Sequence, residues 1–149
     1  MNSKQIERYF DEQGLKSFLG CYAHDVLPKF PTQLPKSLIV NTDSSDKGGD
    51  HWLALILNKS SVFYFDSFGI QVLNENIIQY LSQKYDKVIY NNHCIQDYES
   101  ISCAIFCIAF IERATTKAKY NAFINSFHKT DLTLNDHLVH RMLRPVTNH

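Results

Sequence analysis

The chain has 149 residues, 44% of them apolar, which is enough for one domain with a single buried core and excludes a disordered linker. Lys+Arg and Asp+Glu balance at 15 each, so tight sequence-independent binding to nucleic acid lacks its usual electrostatic basis. The N-terminus has no apolar leader core and no run approaches a membrane span, so the reading is a soluble chain of a reducing compartment.

The four cysteines, Cys21, Cys94, Cys103 and Cys107, form no CxxC pair and match no common zinc spacing. No metal, cofactor or disulfide framework is expected. The region after Cys103 is mildly basic, which reads as a solvated surface rather than a nucleic-acid track.

In chain order, residues 3–13 read as an amphipathic helix with Ile6, Tyr9 and Phe10 on one stripe and Gly14 as its stop. Residues 15–36, punctuated by Gly20, Pro28, Pro31 and Pro35, read as an irregular loop packed on the body through Phe18, Tyr22 and Phe30. Ser37–Thr42, His51–Leu57 and Val62–Asp66 are apolar with β-branched or aromatic residues and read as three strands. Asp43–Asp50, with Gly48-Gly49, connects the first two, and Asn58–Ser61 turns the second pair. Asn74–Lys84 reads as a helix with Ile77, Ile78 and Leu81 inward, and Lys87–Asn91 as a fourth strand. Cys103–Lys119 reads as a helix buried on most sides, since Ala104 to Ile111 is entirely apolar, with Ser100 or Ser102 as its cap. Helical segments near Tyr120–His128 and Leu134–Leu143 close the chain, with Pro145 as the stop.

Four residues at the ends of these elements carry chemistry. If Leu57 pairs with Val62 across the turn, His51 falls diagonal to Asp66 on one sheet face, roughly 7–8 Å apart at the backbone and within side-chain reach. A one-residue slip would separate them. Asp66 ends an apolar strand, where a carboxylate is costly without a partner. Cys103 opens the buried helix, where partial positive charge favours a thiolate. Gln96 lies in the polar stretch ahead of it, able to donate to an oxyanion together with the Cys103 backbone N–H.

Each has a bland alternative when taken alone. Cys103 could be a small core residue, like Cys107; His51 and Asp66 could be turn residues; Gln96 could be an exposed loop amide. Trp52 could cover the histidine or simply fill the core. His137 and His140, three apart on a helix, read as a solvated face. Together the four residues are the equipment of a thiol hydrolase: nucleophile Cys103, base His51, orienter Asp66 and oxyanion donor Gln96.

The order His–Asp–Gln–Cys, in GGDHW, DSFG and QDYESISCAIFC, resembles the adenain family of viral cysteine endopeptidases and the wider group of ubiquitin-like-protein-specific proteases. The likeness runs from about Leu38 to about Ile111, and FLGCYAHDVLP at Phe18–Pro28 is similar to the N-terminal segment of adenain-like proteases in DNA viruses and virus-like transposons. It implies an α+β fold, papain-like in its site: a central mixed β-sheet packed by helices, with the nucleophile at the N-terminus of a buried central helix. It implies that residues 1–149 form a single cysteine-protease domain, with Cys103, His51, Asp66 and Gln96 in the roles just given.

The resemblance also implies cleavage after small residues, in Gly-Gly or Gly-x-Gly contexts, of viral structural precursors. The expected partner is a polypeptide and no membrane. The expected state is a monomer, in the host nucleus or cytoplasm and in the virion. Processing of ubiquitin-like modifier tails, and an inert binding module of the same fold, stand as alternatives. Three features depart from the pattern. Ala104 follows the nucleophile where the family has glycine, and its methyl is expected to tighten the site. Asp66 stands where adenain has glutamate. Cys94 lies in the region of adenain's disulfide to an activating peptide, but at a different spacing from Gln96, so that dependence is not carried over. An activating peptide or nucleic acid is left open.

Overall fold

The computed structural model describes residues 1–43 and 51–143. The expected Gly48-Gly49 connection and the stop at Pro145 lie outside the described residues. The chain runs α1 (Ser3–Glu12), β1 (Phe18–Ala23), β2 (Lys36–Asn41), β3 (Trp52–Leu57), β4 (Val62–Phe65), α2 (Glu75–Ser82), β5 (Val88–Tyr90), α3 (Cys103–Arg113), α4 (Lys117–Asn125) and α5 (Leu132–Met142). The strands form one mixed sheet in the order β1-β2-β3-β4-β5. β2, β3 and β4 are antiparallel to one another, while β1 joins β2 and β5 joins β4 in parallel.

Alternation along the strands gives the sheet two apolar faces. Ile39, Ala54, Ile56, Phe63 and Phe65 pack with α1, α3 and α4, and Leu38, Val40, Leu53, Leu55, Leu57, Val62 and Tyr64 pack with α2. Coverage on both sides explains why β3 is apolar at every position. α3 is the central helix: eight of its residues are buried, and Phe110 stacks on Phe65 with ring centroids 4.6 Å apart. Removing such a buried ring typically costs about 3–5 kcal/mol.

α1 starts on a capping box between Asn2 and Gln5 and buries Ile6, Tyr9 and Phe10, as its periodicity predicts. Four expectations need correction. Phe18–Ala23, read as loop, is strand β1 at the sheet edge; its partner is parallel and its register is irregular between Phe18 and Cys21. In α2 the buried stripe is Ile77, Tyr80 and Leu81, while Ile78, one position off it, is 45% exposed. The helix from Cys103 stops at Arg113, because the Thr116 side chain accepts from the Lys119 N–H at 3.2 Å and starts a separate helix, α4. Ser102 occupies the N-cap position of α3, yet neither its side chain nor that of Ser100 caps the helix. Instead the Ser102 N–H donates to Ser100 Oγ, and both hydroxyls turn towards α5.

Candidate active site

β3 and β4 pair with Leu57 opposite Val62 and Ala54 opposite Phe65. His51 immediately precedes β3 and Asp66 immediately follows β4, so both lie at the same end of the antiparallel pair. The expected diagonal contact is present: His51 Nε2 is 2.8 Å from Asp66 Oδ1. Asp66 is buried, and the same oxygen accepts the Phe68 N–H at 2.8 Å. The carboxylate thus has the partners that its burial demands.

Asn91, at the end of β5, fixes the Asp66 backbone from both sides. Its Oδ1 accepts the Asp66 N–H at 3.1 Å and its Nδ2 donates to the Asp66 carbonyl at 2.6 Å. The turn after Asp66 closes with the Gly69 N–H donating to the Asp66 carbonyl at 2.8 Å. Gly69 has φ +71°, and a Cβ there would lie 2.5 Å from the His93 carbonyl carbon. Only glycine lets this turn touch the 93–94 backbone. Phe68 stacks on the His51 ring at 4.8 Å and Tyr98 stacks on Phe68 at 5.8 Å. The ring over His51 is therefore Phe68; Trp52 is buried in the core.

Cys103 sits at the first position of α3, 7% exposed. Burial pushes its thiol up, but the hydrogen bond and charge of His51, together with the backbone N–H groups of Trp52 and Ala104, outweigh it and hold the thiol below its ordinary range. Burial likewise disfavours charge on His51. Hydrogen bonds to Asp66 and Cys103, with the charges of both, overcome it and raise the imidazole to about 9. With Nε2 committed to Asp66, the ring nitrogen left for the sulfur is Nδ1. The thiol is displaced downward and the imidazole upward, the directions that favour charge separation between them.

Cys107, one turn along, is fully buried and its thiol is pushed well above the ordinary range, chiefly by burial. Its Sγ donates to the Trp52 carbonyl at 3.3 Å. The Trp52 backbone therefore turns its N–H to Cys103 and its C=O to Cys107, one group from each of the two peptide units that flank its Cα. Ala104, the departure from the glycine pattern, is buried among core residues, and its own N–H is one of the groups directed at the nucleophile.

Gln96 is buried, and neither an exposed loop amide nor a direct neighbour in the hydrogen-bonded set. Its Oε1 accepts a hydrogen bond from Ser67 Oγ, and its backbone N–H donates to the Ser67 carbonyl at 3.1 Å. Its Nε2 donates to the Ser100 carbonyl at 3.0 Å and approaches Ser100 Oγ at 3.4 Å. Among the described residues no hydrogen bond joins Gln96 to Cys103, His51 or the Asp66 side chain; it is tied to them through Ser67, the residue after Asp66.

α5 braces this polar segment. Asn135 Nδ2 donates to the Ile95 carbonyl at 2.9 Å. Asp136 accepts from Ser100 Oγ at 2.7 Å and from Ser102 Oγ at 3.2 Å. His137 and His140 are exposed, as expected of a solvated face, and His140 Nε2 also lies 3.2 Å from Ser102 Oγ. Sequence reasoning missed Phe68, Asn91, Ser100 and Asp136. Only Phe68 carried a local signal, as the aromatic of the DSFG turn.

Among the described residues no cluster of three or more His, Cys, Asp or Glu could hold a metal ion, and no helix is long and apolar enough to cross a membrane. A concavity of about 480 Å³ between α1 and β1 contains none of the four candidate residues. Chemistry rather than cavity size picks out the site.

A family model described as adenovirus endoprotease matches residues 18–138. The protease of bovine adenovirus 7 is 30% identical over 136 residues, spanning 74% of this chain and 65% of that protein. The protease of porcine adenovirus A serotype 3 is 27% identical over 117 residues, spanning 65% of this chain and 55% of that protein. The chain thus spans 55% to 65% of the length of these two curated relatives. The crystal structure of the ASFV pS273R protease superposes with a TM-score of 0.46 at 21% identity, over 74% of this chain and 45% of that one.

Proposed function

The chain belongs to the adenovirus endoprotease family, and from that premise we propose that it is a cysteine endopeptidase with Cys103 as nucleophile, His51 as general acid and base, Asp66 as orienter and Gln96 as oxyanion donor. The observation that carries this reading is the linked set Cys103–His51–Asp66, with the thiol lowered and the imidazole raised.

The Cys103 sulfur attacks the scissile carbonyl carbon while the thiol proton resides on His51. The carbonyl π pair moves to oxygen, and the Cys103 backbone N–H and the Gln96 amide donate to that oxyanion. The Nε2 of Gln96 has a second hydrogen facing the long 3.4 Å contact with Ser100 Oγ, the weaker of its two bonds and the one substrate would replace. As the C–N bond breaks, His51 gives its proton to the leaving amine. Neutral His51 then takes a proton from water, which attacks the thioester; the acid product leaves and the pair is restored. Asp66 holds Nε2 and keeps Nδ1 facing sulfur throughout.

The substrate class follows the family resemblance: polypeptides cut after small residues, in Gly-Gly or Gly-x-Gly contexts, with viral structural precursors as the physiological targets. On this reading residues 1–149 act as one domain. The test is cleavage of a Gly-x-Gly reporter peptide by the purified chain. Cys103→Ala abolishes turnover and His51→Ala lowers it by about 10²–10⁴-fold. Undiminished cleavage by the Cys103→Ala protein refutes the assignment.

A further inference from the structure

Ser100 Oγ is the junction of the polar segment ahead of α3. It donates to Asp136 at 2.7 Å, and so turns its lone pairs towards two donors, the Ser102 N–H at 3.1 Å and Gln96 Nε2 at 3.4 Å. The Ser102 N–H leads directly into Cys103, and Gln96 Nε2 is the amide assigned to the oxyanion. A second hydroxyl, Ser102 Oγ, also donates to Asp136, so one carboxylate ties both ends of the Ser100–Ser102 turn to α5. α5 is itself docked on this segment by Asn135, which is fully buried and donates to the Ile95 carbonyl. Charged acceptors make the stronger hydrogen bonds, and here the charge fixes which way a neutral hydroxyl points.

We propose that Asp136 is a positioning residue for the reaction: acting through the Ser100 hydroxyl, it sets the direction of the Gln96 amide. The proposal rests on the reading of Gln96 as oxyanion donor. Without the carboxylate, Ser100 Oγ is free to rotate and donate elsewhere. Gln96 Nε2 then loses one of the two guides that place it before substrate arrives, and the hydrogen that the oxyanion takes over is aimed less closely. Misplacement of a catalytic group by as little as about 1 Å can cost on the order of 10²-fold in rate.

The test uses the full chain, with Cys103-dependent cleavage of the reporter peptide established first. Asp136→Ala lowers kcat on the order of 10-fold or more with KM little changed, the pattern of an interaction used in the transition state. Ser100→Ala reproduces the loss. Asp136→Asn, which retains an acceptor oxygen, restores much of it. Alkylation of Cys103 by iodoacetamide, which needs no oxyanion donor, keeps its pH profile in all three variants. In a Gln96→Ala background, Asp136→Ala adds little, because both changes remove the same function. Full additivity with Gln96→Ala, or alkylation that falls in step with kcat, overturns the proposal, as does an Asp136→Ala enzyme of unchanged kcat. A Gln96→Ala enzyme of normal kcat instead overturns the oxyanion assignment beneath it.

Discussion

Replacing Asp66 with asparagine removes the negative charge beside His51 while keeping the size of the side chain. The imidazole lies at about 9 against an ordinary 6.5, a rise of roughly 2.5 pH units, or about 3 kcal/mol. Burial is the largest single influence and acts downward, so the upward pulls together exceed that rise. Those pulls come from Asp66 and Cys103, and Asp66 leads in both hydrogen bonding and charge. Removing the carboxylate therefore lowers the imidazole. The sign is direct. As pH rises through the His51 pKa, the imidazolium loses its proton and the leaving amine loses its acid. The alkaline limb of kcat/KM, which reports the free enzyme, falls near pH 9 in the wild type and at lower pH in Asp66→Asn. The assay is peptide cleavage across pH 5–10, paired with iodoacetamide alkylation of Cys103 over the same range. An alkaline limb that stays near 9 in Asp66→Asn refutes the claim that the carboxylate holds the imidazolium.

Two further outcomes follow from the same geometry. At pH 6–7 iodoacetamide labels Cys103 much faster than Cys107, since one thiol is lowered and the other raised; mass spectrometry of partly labelled protein showing equal modification contradicts this. Gly69→Ala destabilises the chain by about 2–4 kcal/mol, from its left-handed backbone and the encounter with the His93 and Cys94 backbone. It also lowers kcat by shifting the segment that leads to Gln96, and an unchanged urea midpoint argues against the close approach.

The His51–Asp66 contact was legible because a short hairpin turn sets register, and register sets which side chains share a face. Leu57 opposite Val62 was enough to bring the pair together. α1 and α3 were legible from strong apolar periodicity and a long apolar run. β1 was not, because what makes it a strand is parallel pairing to β2, a non-local partner, and a glycine at φ +138° interrupts its pattern. In α2, eight residues are too few for periodicity to choose between Ile78 and Tyr80. The choice is made by Phe30, from the proline-rich segment, which packs on Tyr80 with ring centroids 5.3 Å apart. Asp136 was invisible for a related reason. A lone aspartate on a polar helix face has no local signature, and its partners lie 34 and 36 residues away.

The backbone of Trp52 has a practical corollary for anyone making a single-thiol version of this molecule. Cys21 and Cys94 touch neither of these Trp52 backbone groups in the contacts described and are the natural first deletions. Cys107 is different: exchanging it for alanine frees the carbonyl of Trp52, the residue whose own N–H faces the reactive sulfur. Serine, which can still donate there, is the replacement that leaves the nucleophile undisturbed.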